Sequence, residues 1–161
     1  MPLHIKVISV GKIKEKFFQD GISEFQKRLS SYTKLDFTEV PDEKIPNNAS
    51  DSQITKIISI EGKKVLGHIK PDDIVIVMDL AGELWSSEIL ADKINNIEIS
   101  GKSGIVFVIG GSLGISADLI KRADMRWCLS PLTFPHQFVK LILMEQLYRA
   151  FKINRGERYH R

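Results

Sequence analysis

The chain has one cysteine, Cys128, in 161 residues, so no disulfide can staple the fold and a reducing compartment, the cytoplasm, is expected. No apolar run approaches the length of a membrane-spanning helix, so no membrane partner is expected. The N-terminal "MPLHIKVISVGKIKEK" carries its charges after a short apolar stretch, the reverse of a signal peptide. Internal repeats and low-complexity segments are missing too. There is no H-E-x-x-H and no Cys/His ligand spacing, and His4, His68, His136 and His160 are scattered, so no metal is expected. "GGSLG" is not G-x-G-x-x-G, no Gly-Lys-Ser/Thr follows it, and Ser112 lies in no G-x-S-x-G elbow. Cys128 has apolar neighbours and reads as a packed strand residue. Nucleophilic, metal and phosphate-loop chemistries all lack their parts.

What is present is an ordinary globular composition, 43% hydrophobic and 27% charged, in a length that suits one domain spanning 1–161. The net charge of +3 is unevenly placed. Residues 140–161 carry six lysines and arginines against two acids, whereas residues 1–139 carry seventeen against eighteen. Arg149, Lys152, Arg155, Arg158 and Arg161 recur at every third position. Positive charge concentrated in this way either solubilises a terminus or attracts a polyanion such as RNA. Glu145 is placed to pair with Arg149 one helical turn on.

Strand and helix periods alternate along the chain. "LHIKVISV" (3–10), "KLDFTEV" (34–40), "DIVIVMDL" (73–80), "GIVFVIGG" (104–111) and "MRWCLS" (125–130) read as strands. Between them, Phe18, Ile22, Phe25 and Leu29 mark one helix, and Ile54, Ile57, Ile58, Val65 and Ile69 a second. "PDEKIPNNASDS" (41–52) reads as a loop and "AGELW" as a turn. Ser86 or Ser87 can cap a third helix with Leu90, Ile94 and Ile97, and Ser116 a short fourth. Pro135 suits the first turn of a long last helix, 135–153, whose apolar surface exceeds what one sheet face needs and so suggests a homodimer. The alternation argues an α/β fold, a parallel sheet with helices on both faces.

In such sheets ligands sit beyond the carboxyl ends of the strands. "VFVIGGSLGIS" (106–116) runs a buried strand into Gly110, Gly111 and Gly114, which is either a tight connection or a loop left bare for a ligand. Together with Met78 and Asp79 and with "LSPLTF" (129–134), it offers backbone, small residues and apolar side chains suited to a flat nucleoside. That reading is shared by a nucleotide enzyme of another class, such as a dehydrogenase. A non-catalytic RNA-binding module using the basic tail is the further alternative.

The combination of "VFVIGGSLG", "LSPLTFPHQFVKLILMEQLYRAF" and "RGERYHR" resembles the large-subunit ribosomal RNA methyltransferase H family (RlmH), of the knotted SPOUT class. "VISVGKIKEKFFQDGISEFQKRL" and "EVPDEK" are similar to it as well. The resemblance implies a dimer that uses S-adenosylmethionine to methylate N3 of a pseudouridine in ribosomal RNA of the large subunit. It also implies a C-terminal trefoil knot, which physical priors alone would never suggest. By the same resemblance Met78, Gly110, Leu129, Ser130, Pro131, Leu132, Thr133 and Phe134 hold the cofactor. His160, Tyr159, Arg158 and Arg155 are the candidates for handling the base and its N3 proton, with the base itself unassigned.

Overall fold

A computed structural model describes residues 3–160; Met1, Pro2 and Arg161, the last of the tail cations, lie outside the described residues. The elements are β1 (His4–Val10), α1 (Lys16–Leu29), β2 (Lys34–Val40), α2 (Asp51–Leu66), β3 (Ile74–Leu84), α3 (Ser87–Ile99), β4 (Gly104–Ile109), α4 (Ala117–Arg122), β5 (Met125–Cys128) and α5 (His136–Asn154). The five strands form one sheet in the order β2-β1-β4-β3-β5. Every pairing is parallel. All strands therefore end on the same edge, and the loops that could hold a ligand gather there.

The period-2 pattern of the central strands divides the core in two. Ile5, Val7, Ile105, Phe107 and Ile109 face a layer made by α1, α3 and α5. Ile8, Val10, Val106 and Val108 face the other way, onto Val65 of α2 and Leu119 of α4. Side chains buried on both faces explain why β3 and β4 read as continuous apolar runs rather than alternating ones. Helix starts follow local chemistry. Ser50 and Gln53 form a reciprocal capping box, so α2 begins inside the segment expected as a loop. Ser86 caps α3 and Ser116 caps α4 through hydroxyls that accept from the third following amide.

Other boundaries differ from expectation too, and β4 ends at Ile109, two residues short of the expected strand. Pro135 is the N-cap of α5, with ψ 145, and the helix begins at His136. β5 stops at Cys128, because Cys128 Sγ and the Ser130 hydroxyl turn to bond within the following loop. β3 does not turn away after Leu80. Residues 79–82 bulge out of the sheet, and the strand then resumes, pairing Glu83 with Trp127 and Leu84 with Cys128. Gly82 permits this: a Cβ there would come within 2.5 Å of the Arg126 carbonyl group.

Candidate functional site

The carboxyl ends of β3, β4 and β5 and the start of α5 enclose a cleft of about 680 Å³, a size typical of small-molecule sites. Each wall has its own origin. The β3 wall is the bulge, with Met78, Asp79 and Leu80. It is clamped by Arg126, whose Nε and Nη2 both donate to Asp79 Oδ2, at 2.8 and 2.6 Å. Asp79 also accepts from the Ala81 amide at 3.0 Å, so one carboxylate ties the bulge to itself and to β5. The β4 wall is the glycine loop 110–114, closed by the Gly114 amide bonding Gly111 O at 3.2 Å.

Gly110 shows why that loop is bare. A Cβ on it would lie 2.4 Å from Ile115 Cδ1 and 3.0 Å from Gly114 O, so the first atoms it meets belong to the loop itself. Gly114 has φ +115, a conformation that side-chain-bearing residues rarely adopt. The third wall is the loop after β5, where the Ser130 hydroxyl accepts from the Leu132 amide at 3.0 Å. Trp127 forms the floor, stacked on Trp85 with ring centroids 5.0 Å apart. Its indole Nε1–H is buried and has no hydrogen-bond partner.

Of the eight residues expected to hold a cofactor, Met78, Gly110, Leu129, Ser130, Leu132, Thr133 and Phe134 line this cleft. Pro131 lies in the same loop but is not part of the lining. Trp127, His136 and Val139 line it as well and were not anticipated. The one signal for Trp127 in the sequence is a large aromatic just before the "LSPLTF" loop.

The tail candidates are elsewhere. Among the described residues, none beyond Val139 lines the cleft. Arg149 lies thirteen residues after His136, about 20 Å along α5 at 1.5 Å per residue. There the tail folds back. Tyr159 donates to Glu145 Oε2 at 3.0 Å and packs edge-on against Tyr148. Burial, then the Glu145 carboxylate, pushes the Tyr159 phenol above its usual range. His160 bridges Arg149 (3.1 Å) and Glu88 of α3 (2.5 Å). Arg155 lies over the ring of Tyr32, and Glu157 accepts from the Tyr32 hydroxyl at 3.0 Å while pairing with Lys152. Hydrogen bonding to Tyr32, then Glu157, strengthens the Lys152 ammonium's hold on its proton. Arg149 is bound to Glu145, as the spacing anticipated. Much of the tail's positive charge is thus spent within the chain, while Arg158 stays exposed. The structure gathers the cofactor candidates at one end of α5 and the tail candidates toward the other.

A parallel sheet covered by helices, with a glycine-loop cleft at its strand ends, defines an α/β protein with a small-molecule-sized site. The family model "Predicted SPOUT methyltransferase" matches residues 3–160, and the chain belongs to that family. This sets the dehydrogenase alternative aside. The chain is 50% identical over 159 residues to the ribosomal RNA large subunit methyltransferase H of Alkaliphilus oremlandii (strain OhILAs), covering 99% of this chain and 100% of that protein. It is 49% identical, with the same coverage, to a putative ribosomal RNA large subunit methyltransferase H of Methanococcus maripaludis (strain C5). Among solved structures it is similar to a probable methylase family protein from Haemophilus influenzae Rd KW20. That match has a TM-score of 0.52 at 12% identity and covers 98% of this chain and 70% of the other. The tRNA (m1G37) methyltransferase of Aquifex aeolicus gives a TM-score of 0.50 at 18% identity, with 92% and 70% covered. Both support the fold.

Proposed function

We propose that this methyltransferase uses S-adenosylmethionine to methylate N3 of a pseudouridine in large-subunit ribosomal RNA, acting in the cytoplasm as a homodimer. The observation that carries the cofactor assignment is the cleft. Its walls combine the glycine-rich loop 110–114 with the apolar side chains of Met78, Leu129 and Leu132 around Trp127. An adenosyl group presents a flat apolar face and polar edges, and these walls match both. When bound, the cofactor supplies a methyl group on a sulfonium.

The chain's own part is alignment, exclusion of water and care of the proton on N3. The Asp79–Arg126 clamp keeps the β3 wall in place, and the closed glycine loop offers amides without reorganisation. The tail side chains Arg155, Arg158, Tyr159 and His160 would orient the base or stabilise its developing charge. Since one chain holds its own tail away from its own cleft, the tail of a second copy is the one that would reach it. The rim supports such a copy: Leu80 and Leu132, exposed at 65% and 67%, flank the cleft with no cover, and Phe138 is exposed beside Val139. The C-terminal trefoil knot belongs to the same proposal. Lys12 and Lys14, exposed in the loop after β1 at the cleft edge of the sheet, suit the RNA backbone.

The test is methyl transfer from labelled S-adenosylmethionine to ribosomes of a strain lacking this gene, with the modified base mapped. Label at N3 of a pseudouridine in the large-subunit RNA is expected. Protein that binds RNA but transfers no methyl would restore the non-catalytic module.

A further inference from the structure

The polar contacts around the tail form a connected chain in which donors converge on Glu145 and diverge from Arg149, so that each hydrogen bond has one possible polarity. The Ser87 hydroxyl donates to Gln146 Oε1 at 2.6 Å, and Gln146 Nε2 donates to Glu145 Oε1 at 2.8 Å. Arg149 donates to both Glu145 oxygens, from Nε at 3.2 Å and from Nη2 at 2.6 Å. Its remaining arm, Nη1, lies 3.1 Å from His160 Nδ1. A guanidinium only donates, so Nδ1 must be the accepting nitrogen. The ring proton is then on Nε2, which lies 2.5 Å from Glu88 Oε1. Glu88 adjoins Ser87, so the contacts return to the first turn of α3 where they began.

The carboxylate is suited to the task. Its own backbone amide, then His160, holds the Glu88 carboxyl below the usual range, so it stays an acceptor. Glu88 is exposed, with 60% of its side chain open to solvent; its carboxylate sits at the first turn of α3 beside its own amide and the Ser86 hydroxyl, which caps the Ile89 amide. Its loss would leave the core intact, and the Ser86 hydroxyl still caps the start of α3 on the Ile89 amide. It joins His160 across 72 residues of sequence.

We infer that Glu88 is a positioning residue: it fixes His160 as the Nε2–H tautomer and, through it, holds Tyr159 and Arg158 in the docked tail. Docked in this way, His160 has both ring nitrogens occupied. Its contribution is therefore to hold the tail, and the N3 proton leaves by another group. The consequence for catalysis rests on the tail reading proposed above, whereas the docking itself does not.

The test uses the full chain labelled at histidine nitrogen, as parent, Glu88→Ala and Glu88→Gln. In the parent, 15N NMR is expected to show the Nε2–H form of His160, and 15N relaxation a Tyr159 amide as ordered as those of the helices. Glu88→Ala should mix the tautomers and drop the Tyr159 order parameter below about 0.6. It should lower kcat for ribosome methylation roughly tenfold, the worth of one hydrogen bond to a charged group, with cofactor Kd unchanged. Glu88→Gln, which keeps an acceptor oxygen, should restore both order and kcat to within about twofold of the parent. An Nδ1–H ring in the parent, or an alanine variant whose tautomer and tail order are unchanged, overturns the inference. A freed tail with parental methylation would support the docking role of Glu88 and overturn the functional reading of the tail.

Discussion

At its N-terminal end α5 meets the cleft through His136 and Val139, where the opposing walls are glycine backbone and apolar side chains. Further along, the same helix meets the tail through Glu145 and Arg149, whose contacts with Tyr159 and His160 are between polar and aromatic side chains. The first arrangement is rigid because loops close on themselves; the second is held by a chain of hydrogen bonds that one substitution can open. A ligand bound by backbone tolerates little change in the shape of its walls. A segment held by side chains can be released without disturbing the fold. This difference suits a cofactor site at one end and an RNA-handling segment at the other.

The largest expected effect is at the cleft. Gly110→Val sets new carbon against Ile115 and Gly114 O, so the loop must open. Calorimetry should find S-adenosylmethionine affinity lost by at least about a hundredfold, equivalent to ~3 kcal/mol, while the far-UV spectrum stays parental. Unchanged affinity would remove this loop from the site.

The tail gives the complementary result. Ending the chain at Asn154 removes Arg155, Arg158, Tyr159 and His160 but no lining residue of the cleft. The shortened protein should fold, bind S-adenosylmethionine with parental affinity and transfer no measurable methyl to ribosomes. Parental methylation by this variant would make the tail a solubilising end.

A smaller effect sharpens the comparison by asking where RNA charge is met. Replacing Lys12 and Lys14 together by alanine should weaken ribosomal RNA binding and reduce the slope of log affinity against log salt by about two, one for each lost phosphate contact. A slope unchanged by this pair would leave the RNA backbone to Arg158 and its neighbours.

The sequence makes the cleft end far more legible than the tail end, for a physical reason. Strand period, serine caps and glycine runs are local signals, and they place "IGGSLG" and "LSPLTF" on the same edge of the sheet before any coordinates are known. The resumption of β3 after its bulge is less visible, because pairing of Glu83 with Trp127 depends on a distant strand; only Gly82 hints at it. The chain of tail contacts is invisible in the sequence beyond its Glu145–Arg149 turn. Ser87 with Gln146 and Glu88 with His160 are contacts of 59 and 72 residues' separation, and no periodicity encodes them. The floor tryptophan is hidden similarly, since Trp127 reads as one more apolar strand position until Trp85 is seen stacked on it.

In the dimer proposed above, the cleft of one chain would work with the tail of the other. This is tested most directly by mixing two inactive proteins, Gly110→Val with an intact tail and the chain ended at Asn154 with an intact cleft. After subunit exchange, half of the dimers pair one of each, and every such dimer holds a single complete site. Methyl transfer to ribosomes is therefore expected to return to about a quarter of the parental rate, the statistical share for a two-fold dimer. Continued inactivity of the mixture, with exchange verified by mass, would contradict the account.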